Sequence, residues 1–141
     1  MEQQNKKKTV VTGVIGGDPH VLGISIVSYA LEQAGFEAVN LGALVAQEEF
    51  VSAAKESKAC AIFVSSIYGM GYLDCQGLRQ KCEDAGLKDV LLYVGGQLTT
   101  SVSEWQDTEE KFKDLGFDRV YPPGTRPDKA VADLKADLER R

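Results

Sequence analysis

Short apolar runs alternate with amphipathic stretches five times along the chain. The first run, Thr9-Val10-Val11-Thr12-Gly13-Val14-Ile15, predicts a strand. A helical pattern follows, with Leu22, Ile26, Ala30, Leu31 and Ala34 on one face and Gly35 as its stop. Residues 36–41 predict a second strand, and residues 47–57 a second helix that buries Phe50, Val51 and Ala54. The unbroken run Ala59-Cys60-Ala61-Ile62-Phe63-Val64 suits a strand covered on both faces. A third helix is predicted over 73–85, ending at Gly86, and a fourth strand over 90–94. A helix over 104–115 turns Phe112 and Leu115 inward and stops at Gly116. A short strand at 119–121 follows, then a last helix opened by Pro127 with Val131, Leu134 and Leu138 as its inner face.

Five consecutive βα units predict an α/β fold, a parallel sheet with helices on both faces. Right-handed crossovers then favour a flavodoxin-like (Rossmann-like), doubly wound, five-stranded sheet of order 2-1-3-4-5. The pattern shows no linker or repeat, so a single domain is expected over residues 1–141, with 1–8 as a frayed tail. In such a sheet ligands bind beyond the carboxyl ends of the strands, near the switch point between the first and third. That rule nominates the loops 16–23, 65–71, 95–100 and 121–125, all rich in glycine or small polar residues.

Composition narrows the possible partners. The net charge of the 141 residues is −5, and Lys6, Lys7 and Lys8 form the one basic cluster, which argues against nucleic acid. The polar N-terminus and the interruption of the first apolar run by Gly13, Gly16 and Gly17 do not make a signal peptide. No stretch approaches the ~20 apolar residues of a membrane span, so a cytoplasmic protein without a membrane partner is expected. Cys60, Cys75 and Cys82 lack CxxC spacing and read as small core residues.

The first nominated loop, Gly16-Gly17-Asp18-Pro19-His20, has no hydroxyl to hold a flavin phosphate. The third strand leads into Ser65-Ser66, not into the aspartate that a phosphoacceptor domain needs. His20 is the single histidine of the chain. A neutral imidazole can give one nitrogen to a metal while a carboxylate holds its other N–H. Asp18 is placed for that second role, Pro19 restricts the backbone between them, and Gly23 lets a large group approach the start of the helix. Taken alone, the pair reads first as a surface histidine with an aspartate nearby; its place at the ligand-binding edge of the sheet puts the two readings level.

Three loops together carry a resemblance. Asp18-Pro19-His20-Val21-Leu22-Gly23, Ser65-Ser66-Ile67 and Gly95-Gly96 are similar to the DxHxxG, SxL and GG elements of base-off, histidine-on cobalamin-binding domains. Ile67 stands where that pattern has leucine, and Gln97 where asparagine is expected. Over nearly the whole chain the sequence resembles the small subunits of glutamate (methylaspartate) mutase. That likeness is carried by Ser65-Ser66-Ile67-Tyr68-Gly69, Asp74-Cys75, Gly77-Leu78-Arg79 and Gly116-Phe117-Asp118-Arg119-Val120-Tyr121-Pro122-Pro123-Gly124-Thr125. The lack of an N-terminal helical bundle suits a free-standing mutase subunit.

The resemblance implies adenosylcobalamin as cofactor and His20 as lower axial ligand to its cobalt, with Asp18 orienting the ring. The displaced nucleotide tail would enter the domain, with Ser65 on its buried base and Ile67 lining the pocket. Gly17, Pro19, Val21, Gly23 and Ser66, and Gly95, Gly96, Gln97, Leu98 and Thr99, complete the implied binding set with Tyr121, Pro122, Gly124 and Thr125. No catalytic residue is expected in this chain. The radical interconversion of L-glutamate and threo-3-methylaspartate would need a large barrel-type catalytic subunit, in a heterotetramer of two small and two large chains. The stretch Tyr68-Gly69-Met70-Gly71-Tyr72 is a candidate contact with it. Alternatives are the cobalamin subunit of another carbon-skeleton mutase (methylmalonyl-CoA or 2-methyleneglutarate), a non-catalytic cobalamin carrier or sensor, and a flavodoxin-like domain that binds no cobalamin.

Overall fold

The structure, a computed structural model, describes residues 7–17, 20–67, 70–98 and 104–140. Five strands, β1 (Thr9–Val14), β2 (Glu37–Asn40), β3 (Ala61–Ser66), β4 (Leu91–Gly96) and β5 (Arg119–Val120), pair in parallel in the order β2-β1-β3-β4-β5. This is the expected order, with its switch point between β1 and β3. The register sets Val14 beside Ser65 and Ser65 beside Gly95, so the nominated loops leave the sheet at one level.

The helices are α1 (Leu22–Gln33), α2 (Gln47–Ser57), α3 (Gly71–Cys75), α4 (Leu78–Asp84), α5 (Trp105–Asp114) and α6 (Pro127–Glu139). Side-chain alternation along the strands feeds two cores. Val11, Ile62, Leu92 and Val94 meet Phe50, Leu78, Cys82 and Phe112 on the face covered by α2 to α5. Val10, Val14, Phe63 and Tyr93 meet Ile24, Leu31, Val131 and Leu134 on the face covered by α1 and α6. Cys75 and Cys82 are fully buried, as expected of core thiols. Burial, reinforced by Asp74, pushes the Cys75 thiol up to about 12.

Two expectations need correction. The helix predicted over 73–85 is two helices, broken at Gly77, whose φ is +88°. The Gln47 side-chain amide donates to the carbonyls of Asp74 (2.6 Å) and Gln76 (2.7 Å), which supplies at the break the partners that a continuous helix would have given. The buried face of α1 is also rotated from the one predicted: Ile24, Ser28 and Leu31 point inward, while Leu22 and Ile26 are exposed. The reason is a polar core contact that apolar periodicity does not register. The Ser28 hydroxyl lies 2.7 Å from the Thr12 hydroxyl of β1 and donates to the Ile24 carbonyl. With β-branched residues, serines and no side-chain cap, α1 depends on this docking more than on its own propensity.

At the edge of the sheet opposite the nominated loops, Arg79 donates to the carbonyls of Gly116 and Val90 (both 3.0 Å) and pairs with Asp118 at 2.8 Å. Asp118 also accepts the Leu92 N–H. These motif residues are scaffold, tying α4 to the start of β4 and β5. Lys8, counted with the tail, already gives its carbonyl to the Glu37 N–H. No helix among the described residues is long and apolar enough to cross a membrane.

Candidate functional site

A cleft of about 370 Å³ opens at the carboxyl ends of β3, β4 and β5, between α1 and α6. One wall is α1, through Gly23, Ile24, Ile26 and Val27. Phe63, Ser65, Tyr93 and Gly95 lie along its floor, and the turn from Tyr121 to Arg126 with Ala130 of α6 forms the other wall. His20, Ile67, Gly96 and Gln97 complete the lining. An apolar cleft with a few convergent polar groups at the switch point of an open sheet is the usual form of a small-molecule site.

The structure therefore gathers His20, Gly23, Ser65, Ile67, Gly95, Gly96, Gln97, Tyr121, Pro122, Gly124 and Thr125 around one space. It places four other residues of the expected set elsewhere. Gly17 and Val21 are exposed beside the cleft without lining it. Ser66, one step along β3 from Ser65, is buried on the other face, where a Cβ on Gly71 would sit 2.9 Å from its hydroxyl. Leu98 packs against that same core. Asp18, Pro19 and Thr99 lie outside the described residues, as do Tyr68 and Gly69 of the candidate partner contact. Of that contact's other members, Met70 and Tyr72 are exposed and Gly71 is buried.

Gly96 is held by two constraints. Its φ is +112°, and a Cβ there would lie 2.4 Å from the Ser66 carbonyl oxygen. Any side chain would push the ends of β3 and β4 apart where both enter the cleft. Gly95 is less constrained: a Cβ there would make ordinary contact with the Tyr121 side chain at 3.4 Å.

Sequence reasoning missed the aromatic floor and its support. The rings of Phe63 and Tyr93 stack at 4.9 Å, and Tyr121 meets Tyr93 edge-on at 5.9 Å. The Tyr121 hydroxyl donates to Asp133 at 2.8 Å, and the Tyr93 hydroxyl donates to Asp137. Arg119 binds Asp137 through two N–H groups, each at 2.8 Å, and lies 3.6 Å from Asp133. Burial, then the Asp137 carboxylate, pushes the Tyr93 phenol far up; burial and Asp133 do the same to Tyr121. The Arg119 hydrogen bonds hold Asp137 well below the usual carboxylate range. A buried hydroxyl left without such a partner costs about 1–3 kcal/mol. The only signal in the sequence was the spacing of Asp133 and Asp137, one helical turn apart on α6.

Residues 8–132 match the family model for the B12 binding domain. The chain is 55% identical over 133 residues to the glutamate mutase sigma subunit of Clostridium tetani, covering 94% of this chain and 97% of that one. It is 51% identical over 132 residues to glutamate mutase sigma subunit 1 of Haloarcula marismortui, covering 94% and 87%. The chain belongs to the glutamate mutase sigma subunit family.

Solved structures agree on the fold of this family member. A cobalamin-binding protein from Desulfitobacterium hafniense superposes with a TM-score of 0.77 at 20% identity, over 93% of this chain and 59% of that one. The receiver domain of the response regulator NarL from Mycobacterium tuberculosis reaches 0.67 at 14% identity, over 96% and 99%. The fold is thus shared with a receiver domain.

Proposed function

We propose that this chain is the cobalamin-binding subunit of an adenosylcobalamin-dependent glutamate mutase, acting in the cytoplasm with a separate catalytic subunit. The observation that carries the reading is the convergence of His20, Ser65 and the Gly95-Gly96 pair on one apolar cleft. The cleft fits a flat, mostly apolar nucleotide base. Gly23, in its wall, has nothing within 4 Å of its Cβ position, so space is kept where a side chain would stand.

In this reading His20 would offer a ring nitrogen to the cobalt, and Asp18 would be the carboxylate that fixes its tautomer. Ser65 offers its hydroxyl to the base, while Ile67, Gly96 and Tyr121 exclude water around it. Gln97 and Thr125 supply polar groups at the mouth, and Arg126 adds a positive charge there. When bound, adenosylcobalamin supplies the radical chemistry of the mutase through its cobalt–carbon bond. The chain's own part would be to hold the cofactor through the residues that line the cleft. The glutamate site then belongs to the partner, proposed as a barrel-type subunit in a two-plus-two heterotetramer.

Mixing the chain with a large glutamate mutase subunit and adenosylcobalamin is expected to convert L-glutamate to threo-3-methylaspartate. Neither subunit alone should turn over. Methylmalonyl-CoA and 2-methyleneglutarate, offered with their own large subunits, should remain unchanged. Turnover of either one in place of glutamate would overturn the substrate assignment, and no turnover with any partner would favour a carrier.

A further inference from the structure

We propose that Asp133, together with Asp137 and Arg119, positions the floor of the cleft and the wall beside it by holding the Tyr93 and Tyr121 rings through their hydroxyls. The inference rests on the reading of the cleft as the site of the cobalamin nucleotide tail, and adds residues that do not line it.

Packing alone does not call for these groups. The apolar face of α6 already docks on the sheet through Ala130, Val131 and Leu134. Phenylalanine at 93 and 121 would fill the same volume and need no acceptor. Instead the chain places two carboxylates one turn apart on α6, where they repel each other, and sets the Arg119 guanidinium beside both. Asp133 and Asp137 also pair with the exposed Lys129 and Arg140, and Arg119 is itself partly exposed, so these ion pairs bring little net stability over apolar packing. What the cluster does provide is direction. Each phenol is pinned at its far end, Tyr93 to Asp137 and Tyr121 to Asp133. Both rings belong to the cleft lining and meet each other edge-on. A floor held in this way keeps its depth before the ligand arrives, which lowers the ordering cost of binding a rigid base.

The test compares two corrinoids, cob(II)alamin, which carries the nucleotide tail, and cob(II)inamide, which lacks it. Both are titrated into the full chain and into Tyr121→Phe, Asp133→Ala and the double variant. Cob(II)alamin affinity should fall about tenfold in each single variant, the scale for loss of an outer-shell partner. The double variant should fall no further than Asp133→Ala, because Tyr121→Phe removes only a hydrogen bond that the loss of Asp133 already breaks. Cob(II)inamide affinity should stay unchanged. Equal loss for both corrinoids would mean a loosened fold rather than a displaced floor, and no loss for either would mean that the ring needs no anchor; each overturns the proposal. If Asp133→Ala does not fold, Tyr121→Phe, which removes one oxygen atom, carries the same comparison. A wild-type chain that binds no cob(II)alamin removes the cofactor reading and this inference with it. Variants that match a wild type which does bind sink only the inference.

Discussion

Replacing His20 by alanine is expected to abolish the histidine signature of bound cob(II)alamin. In the wild-type complex a single axial nitrogen should split the cobalt EPR lines. Labelling the protein's histidine with ¹⁵N should change each three-line pattern to two lines, since the dimethylbenzimidazole of the cofactor stays unlabelled. In His20→Ala the label should have no effect, because His20 is the only histidine of the chain. Affinity should fall by more than the 10–100-fold that removal of an outer-shell partner costs at metal sites. Label-independent splitting in the wild type would show that the ligand is not protein histidine. The effect is large because His20 is the one cleft residue that the reading gives a bond to the metal. Every other group touches the cofactor through packing or hydrogen bonds.

Gly23 offers the second large effect, with stability and binding moving in opposite directions. It sits in the first turn of α1, its φ is not positive, and nothing lies within 4 Å of its Cβ position. A side chain there meets no strain. Gly23→Ala should raise stability by about 0.5–1 kcal/mol, the usual difference between the two residues in a helix. Gly23→Phe should fold with an unchanged or higher melting temperature and lose cobalamin affinity by about a hundredfold or more, on the order of 3 kcal/mol. Its ring would occupy the space that the cleft keeps open. Thermal melts and a cobalamin titration on the same samples check this, and a Phe variant that binds like wild type would falsify the placement of the tail beside α1.

The architecture was legible in the sequence because it depends on periodicity. Five apolar runs and their intervening amphipathic stretches were enough for the strand order and for most helix boundaries. Pattern failed where polar side chains took part in the core. Ser28 is inward because Thr12 faces it across β1, and a hydrophobicity count places that side of α1 in solvent. The helix break at Gly77 likewise depends on Gln47, about thirty residues earlier, which supplies hydrogen bonds that no local rule anticipates.

The site divides along the same line. Its loops were visible because glycine-rich strand ends mark a switch point, and the three motifs then pointed to one cofactor. Individual neighbours were not. Ser66 adjoins Ser65 in every sequence-level description, yet strand alternation sends it to the opposite core. Phe63 and Tyr93 looked like ordinary strand residues, because nothing local says that these core side chains also border the cleft.

The two walls of the cleft come from the ends of the chain. Gly23 and Ile26 belong to the first helix, while Tyr121, Pro127 and Ala130 belong to the final strand-to-helix crossover. On the ribosome, the motif histidine emerges more than a hundred residues before the segment that closes the space beside it. A nascent chain can display every motif residue up to Gly96 and still have no place for a ligand. A ligand that needs this cleft must therefore wait for the synthesis and folding of α6, and a ribosome stalled before it would hold a chain with both early loops in place and the receptacle unformed.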